Sequence, residues 1–217
     1  MTARLPPVRL ATADDLPVLQ RTLGRAFVDD PVWTWVMKTG TRLDERIGAF
    51  LGIAIRLHLP HESVWMTCDG RCAAIWAPPM AWRIPPRRFL RYVPTALREA
   101  GLRSLPALSA LGETERRHPT GNHWYLAVLG TDPDARGCGR ASAVLAPVLE
   151  RCDTDGLGAY LESSKEENTP FYARHGFEVT DTIDLTHGGP RLWTMWRDPQ
   201  VRPLVEAPPP EDQVTSD

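Results

Sequence analysis

Apolar residues recur every three or four positions early in the chain, and every second position or continuously further on. In "VRLATADDLPVLQRTLGRAF" a short strand leads into a helix. Leu16, Leu19, Leu23 and Phe27 share one face of it, and Thr12 or Asp14 stands where a cap belongs. The segment "DDPVWTWVM" breaks that helix at Pro31 and exposes an aromatic pair, Trp33 and Trp35. Ile47, Phe50, Leu51 and Ile55 predict a second helix over 42–58. "SVWMTCDGRCAAIWAPP" has two apolar runs around Asp69-Gly70, a hairpin turn pair. The Arg- and Leu-rich stretch 84–114 predicts helix broken at Pro94 and Pro106, an insertion over one edge of a sheet.

The second half changes rhythm. "HWYLAVLGT" (123–131) is almost unbroken apolar, the mark of a strand covered on both faces. A helix follows from about Gly139 to Cys152, with Pro147 inside it, then a strand in "GAYLESS". "NTPFYARHGF" predicts a short helix stopped at Gly176. "FEVTDTIDL" and "RLWTMWR" are two more strands joined by a turn near Gly188-Gly189. Hairpins and crossovers mixed along one chain give an α+β class. Its length suits one domain, taken as residues 1–200. Residues 201–217 are Pro-rich, with Arg202 against Glu206, Glu211, Asp212 and Asp217, which predicts a mobile acidic tail.

Composition narrows the function classes. Apolar residues make up 42% and the formal net charge is −2, so the chain has the makings of a core and lacks the basic excess of a nucleic-acid binder. Cys68, Cys72, Cys138 and Cys152 form no C-x-x-C pair, so no metal site is expected. "MTARLPPVRL" lacks a signal-peptide core, and no run reaches the roughly 18 apolar residues of a membrane span. The expectation is a cytoplasmic protein with reduced thiols and no membrane or nucleic-acid partner.

The chemistry concentrates in "DPDARGCGRASAVL", 132–145. Five residues after the buried strand come Arg136, Gly137, Cys138, Gly139, Arg140 and Ala141, at the head of a helix. Glycines let successive backbone N–H groups converge, a helix start adds free donors and partial positive charge, and two arginines add full charge. This is the making of a pyrophosphate cradle. A triphosphate P-loop needs a Gly-Lys pair that the chain lacks. A dinucleotide fingerprint needs a third small residue where Ser142 stands, and more chain than remains. R-x-x-G-x-A matches at Arg136, Gly139 and Ala141, and a plain surface turn is the bland alternative.

Strand, R-x-x-G-x-A, helix, strand, then Asn168 and "FYARHGF" resembles the GNAT superfamily of acyl-CoA-dependent N-acyltransferases. "VRLATADDLP", "VWMTCDGRCAAIWAPP", "WYLAVLGTDPDARGCGRASAVLAPVLE", "AYLESSKEENTPFYARHGFEVT" and "GGPRLWTMWRDP" are similar, in order, to its puromycin N-acetyltransferase branch. The resemblance spans residues 7–199 and is specific in the C-terminal half. It implies a mixed, mostly antiparallel central sheet flanked by helices, with two central strands splayed. It implies acetyl-CoA as co-substrate, without metal. Arg136, Gly137, Cys138, Gly139, Arg140 and Ala141 would bind its pyrophosphate, and the backbone of Ala127, Val128 and Leu129 would pair with its pantetheine arm. Asn168 would contact the cofactor.

Acetyl transfer needs the amine deprotonated, the carbonyl oxygen stabilised and the thiolate helped away. By the same resemblance Tyr172 is the acid: a phenol of pKa near ~10 can protonate a thiolate of pKa around ~8.5. Two residues are candidates for the base. His123 opens the buried strand, and Glu162 lies on the next one. A backbone N–H near Leu129 would meet the carbonyl oxygen. Asp30, Trp33 and Trp124 are expected to line the acceptor pocket; at Asp30 the branch tends to carry an aromatic. The function so read is direct acetyl transfer to a small primary amine, by a monomer or homodimer. A protein acetyltransferase and a non-catalytic acyl-CoA sensor are the alternatives.

Overall fold

The Asp69-Gly70 turn shows how local chemistry sets the first register. Asp69 accepts hydrogen bonds from Thr67 Oγ1 (2.6 Å) and the Arg71 amide (3.2 Å), which reverses the chain between β2 (Val64–Thr67) and β3 (Cys72–Ala77). The computed structural model describes residues 6–37, 40–83, 85–101 and 112–200. The predicted tail over 201–217 and the break at Pro106 lie outside these residues.

The strands form one seven-stranded sheet in the order β1-β2-β3-β4-β5-β7-β6. The other strands are β1 (Val8–Leu10), β4 (His123–Thr131), β5 (Gly158–Ser163), β6 (Glu178–Asp184) and β7 (Arg191–Arg197). Only the β4–β5 pairing is parallel. The helix α5 (Arg140–Asp155) makes that crossover, as a parallel connection requires. This is the α+β class that the pattern gave and the mixed, mostly antiparallel sheet that the resemblance implied.

Alternation along β3 sorts the core into two layers. Cys72, Ala74 and Trp76 face α5, where Val144, Leu145, Val148 and Leu149 meet them. Ala73 and Ile75 face the opposite layer, built from α1 (Leu16–Ala26) and α3 (Leu43–His58), with Leu19, Leu23, Ile47 and Leu51 inside. Each fully buried Leu or Ile here contributes about 1.5–3 kcal/mol. The crossing of α1 and α3 is close because both helices present glycine. A Cβ on Gly24 would sit 2.1 Å from Asp44 O, and one on Gly48 2.3 Å from Gln20 O.

Three local expectations change. "PVWTWV" is not a break but a six-residue helix, α2 (Pro31–Val36), with Asp30 as its N-cap. Proline is tolerated there because the first turn needs no N–H from it. Pro94 likewise starts a helix, α4 (Val93–Ala100), instead of ending one. That helix packs on α3, where Arg46 donates to the Glu99 carbonyl, while Glu113 of the same stretch accepts from the Thr186 amide just after the edge strand β6 (3.0 Å). Finally, α5 runs three residues past Cys152 to Asp155 before a left-handed Gly156 stops it.

Candidate functional site

The site begins where two strands part. The β4–β5 ladder runs from His123↔Gly158 to Leu126↔Leu161 and stops, although β4 continues to Thr131. On its other side β4 slips register against β3: Ile75 faces Val128 and Trp76 faces Leu126, leaving Ala127 as a bulge. A bulge bends and twists its strand, which is the physical reason β4 leaves β5 at this point. The wedge so opened is a cleft of about 530 Å³. Ala127, Val128 and Leu129 form one wall, and this explains why they are only half-buried in a strand whose start is fully buried.

The head of the cleft is the loop into α5. Gly137 and Gly139 both adopt φ +77°, a conformation open to glycine at little cost. The first intrahelical bond of α5 is Ala143 N–H to Gly139 O (3.0 Å), so the amides of Arg140, Ala141 and Ser142 begin the helix without an intrahelical acceptor. A Cβ added at Gly137 would meet nothing within 4 Å, so the space before the loop is open. These donors, with the helix dipole behind them, fit a pyrophosphate.

The two arginines also anchor the loop. Arg136 Nη2 donates to Ala26 O (3.0 Å), tying the loop to the end of α1. Arg140 binds Asp69 Oδ2 through Nε (3.1 Å) and Nη2 (3.0 Å), tying it to the β2–β3 turn. Each guanidinium has five N–H donors, so both can still face an anion while anchored. Lys165, Asn168 and Arg174 extend the polar wall, and Lys165 is paired with Asp29 (3.1 Å).

In the middle of the cleft stand Glu162, Asp30 and Tyr172. Burial, and then the nearby Asp30 carboxylate, push the Tyr172 phenol well above its ordinary pKa. Asp30 itself is buried and committed. It caps α2 through the amides of Val32 (2.9 Å) and Trp33 (3.2 Å) and accepts from Ser164 Oγ. Burial raises its pKa against those hydrogen bonds. Its first role is therefore to hold α2 at the cleft.

Of the expected site residues, four are not on the cleft wall. Strand alternation turns Trp124 toward α5, where it is buried with Arg151 over its ring. Trp33 packs edge-on against Phe50 in the α1–α3 layer (5.3 Å). Cys138 is exposed on the outside of the loop, away from the wall its neighbours form. His123 is buried behind the cleft, its Nε2 2.9 Å from His118 Nε2 and its Nδ1 3.1 Å from Gly121 O. Burial, together with the neighbouring His118, lowers its pKa. Between the two candidate bases, geometry favours Glu162.

Period-two spacing puts His123 and Tyr125 of β4, and Tyr160 and Glu162 of β5, on one face, and His118 fills the space between them. His118, Lys165, Ser164 and Arg174 were not anticipated. His118 sits outside any periodic element, so nothing in the spacing marks it. Among the described residues, no group of three His, Cys, Asp or Glu side chains is placed to hold a metal. Nor is any helix there long and apolar enough to cross a membrane.

The cradle carries a direct prediction. Gly139→Val forces a β-branched residue into φ +77° at the helix cap, so acetyl-CoA affinity is expected to fall about 5- to 30-fold, given a strain of roughly 1–2 kcal/mol. Calorimetry reads this; unchanged affinity would remove the loop from the binding site.

Comparison with known proteins agrees with this geometry. Residues 102–177, which span the cleft's β4, cradle, α5 and β5, match the model of the Acetyltransferase (GNAT) family. A Schizosaccharomyces pombe protein described as an uncharacterized N-acetyltransferase is 31% identical over 104 residues. That match covers 47% of this chain and 42% of the yeast protein, less than half its length. A solved structure titled histone acetyltransferase HPA2 and related acetyltransferase, from Corynebacterium glutamicum, superposes with a TM-score of 0.65 at 23% identity, over 93% of this chain and 100% of that one. A Drosophila melanogaster polyamine N-acetyltransferase has the same fold, with a TM-score of 0.61 at 16% identity, over 88% and 98% of the two chains. The matched segment is thus similar to the GNAT acetyltransferases, and the sheet built around it has the fold of these solved acetyltransferases.

Proposed function

We propose that the protein transfers the acetyl group of acetyl-CoA to a primary amine of a small molecule, by direct attack with both substrates bound. The observation that carries this is the parted β4–β5 pair. It joins a cluster of free amides at one end to a buried carboxylate, Glu162, and a phenol, Tyr172, at the middle. Gly137, Gly139 and the α5 amides would hold the pyrophosphate, and β4 from Ala127 to Leu129 would align the pantetheine arm. Glu162 takes a proton from the amine. Tyr172, held protonated by its surroundings, donates a hydrogen bond toward the leaving sulfur. Its raised pKa makes full proton release costly, so it acts by stabilising the thiolate more than by an outright transfer.

A small acceptor is supported by charge. Glu162 and Asp30 line the cleft of about 530 Å³, where a carboxylate attracts an ammonium. The motifs similar to the puromycin branch point the same way. Asp30, which caps α2, stands where that branch tends to carry an aromatic, and this departure argues against puromycin itself as the acceptor.

Titration with acetyl-CoA should release heat, and a screen of amines should reveal one that liberates free coenzyme thiol. Tyr172→Phe should keep acetyl-CoA affinity and lose about tenfold or more in kcat. Binding without turnover on any small amine or lysine peptide would favour an acyl-CoA sensor, and absence of binding would end the reading.

A further inference from the structure

Behind the cleft wall His118, His123, Tyr125 and Tyr160 form a cluster of titratable groups, and Glu162 links it to the cleft. His118 stacks on Trp82 at 3.7 Å and meets Tyr125 and Tyr160 edge-on. Its Nε2 is 2.9 Å from His123 Nε2, and its Nδ1 is 3.8 Å from Glu162 Oε1. That Glu162 oxygen is buried and has no hydrogen-bond partner. Buried polar atoms are nearly always satisfied, so an orphaned carboxylate oxygen aimed at an imidazole calls for a reason.

Counting hydrogens supplies one. Gly121 O can only accept, so His123 carries its proton on Nδ1 and presents a lone pair at Nε2. His118 must then donate from Nε2. In the neutral pair this leaves His118 Nδ1 as a lone pair facing Glu162 Oε1, two acceptors with nothing between them. One added proton satisfies both, either on Glu162 or on His118 Nδ1. At 3.8 Å the separation is within reach of a small side-chain rotation.

We infer that His118 is the positioning residue and proton store of the transfer reaction, taking from Glu162 the proton that the acceptor amine gives up. The inference rests on the acetyltransferase reading and deepens it. One ammonium N–H bond breaks, its electron pair stays on nitrogen as the nucleophile, and the proton passes through Glu162 Oε1 to His118 Nδ1. The nitrogen forms the amide bond as the C–S bond breaks, and a second N–H proton ends on the departing sulfur. The balance is one proton released per turnover, the one that His118 holds. It passes to solvent before the next turnover. The titratable groups facing His118 are Glu162 and Tyr160 on β5 and His123 and Tyr125 on β4, so only Glu162 supplies a negative partner at neutral pH.

Nitrogen NMR of histidine-labelled protein tests this without substrate. His123 should show the Nδ1–H form and His118 the Nε2–H form, and the His118 Nδ1 signal should move in Glu162→Gln. The reverse tautomers, or a His118 Nδ1 signal indifferent to Glu162→Gln, would overturn the relay. Kinetics add a second reading. His118→Gln should lower kcat about 10- to 100-fold at neutral pH, at or below the lower end for a direct acid–base group. The deficit should shrink as pH rises and hydroxide removes the proton, with the KM for acetyl-CoA unchanged. An equal loss at every pH would mark a purely structural role and overturn the proposal. Wild-type protein that turns over no amine would overturn the acetyltransferase reading and the relay with it. Reversed tautomers in an active enzyme would sink the relay alone.

Discussion

Glu162→Gln should lower kcat for amine acetylation by about 10²–10⁴-fold while acetyl-CoA binds as before. The two side chains have nearly the same shape, so the packing of β5 is kept, but an amide cannot take the amine's proton. Two features of the site make the effect large. Glu162 is the carboxylate that geometry leaves as base once His123 is found behind the cleft. Its Oε1 makes no hydrogen bond, although the Tyr125 and Tyr160 phenols face the carboxylate. The charge is nevertheless felt: burial first, and then the Glu162 carboxylate, raise the pKa of both Tyr125 and Tyr160. Stopped assays of thiol release and calorimetry on the same preparation separate the two quantities. A kcat within a few-fold of wild type would show that the amine arrives deprotonated and that Glu162 is structural.

The second large effect is on stability, and it comes from the far end of the helix that carries the cradle. Arg197 of β7 is 3% exposed, yet it is a full charge. It is held by a bidentate pair with Asp153 of α5, at 2.7 and 2.9 Å, and its Nε donates to His175 O (2.9 Å). Asp153 also accepts from the Gln200 amide (2.7 Å). Asp153→Ala strands the guanidinium without its counter-charge and should cost about 3–5 kcal/mol, seen as a lower urea midpoint. Replacing both partners with apolar residues should recover part of the loss, because no buried charge remains. A single variant as stable as wild type would show that Arg197 finds another partner or water. The pair matters for the site because α5 bears the amides of the cradle at its other end, so a loosened C-terminus tilts the donors.

Much of this molecule could be read from residue order. The strand at 123–131 emerged with its boundaries intact, because burial on both faces leaves a continuous apolar run. The glycines at 137 and 139 announced a loop with positive φ before a helix, and they adopt it. The Asp69-Gly70 hairpin and the helix over Leu43–His58 followed from turn chemistry and period. The aromatics read less well. Trp33 and Trp124 were assigned to a pocket on residue type, while strand parity and a six-residue helix sent them into the core. Pro31 and Pro94 read as breaks and proved to be helix starts, since proline is excluded from a helix interior but not from its first turn.

Residue order thus determined which elements form and which loop can receive an anion, because those depend on neighbours a few positions apart. Folding in three dimensions decided the chemistry: that Arg136 and Arg140 brace the loop, that Ala127 bulges and opens the sheet, and that Glu162 rather than His123 faces the cleft. His118 meets Glu162 across 44 positions of chain, and His123 takes its hydrogen assignment from a carbonyl in a turn. Proton traffic depends on distances of a few ångströms between groups remote in sequence, and no local pattern records those.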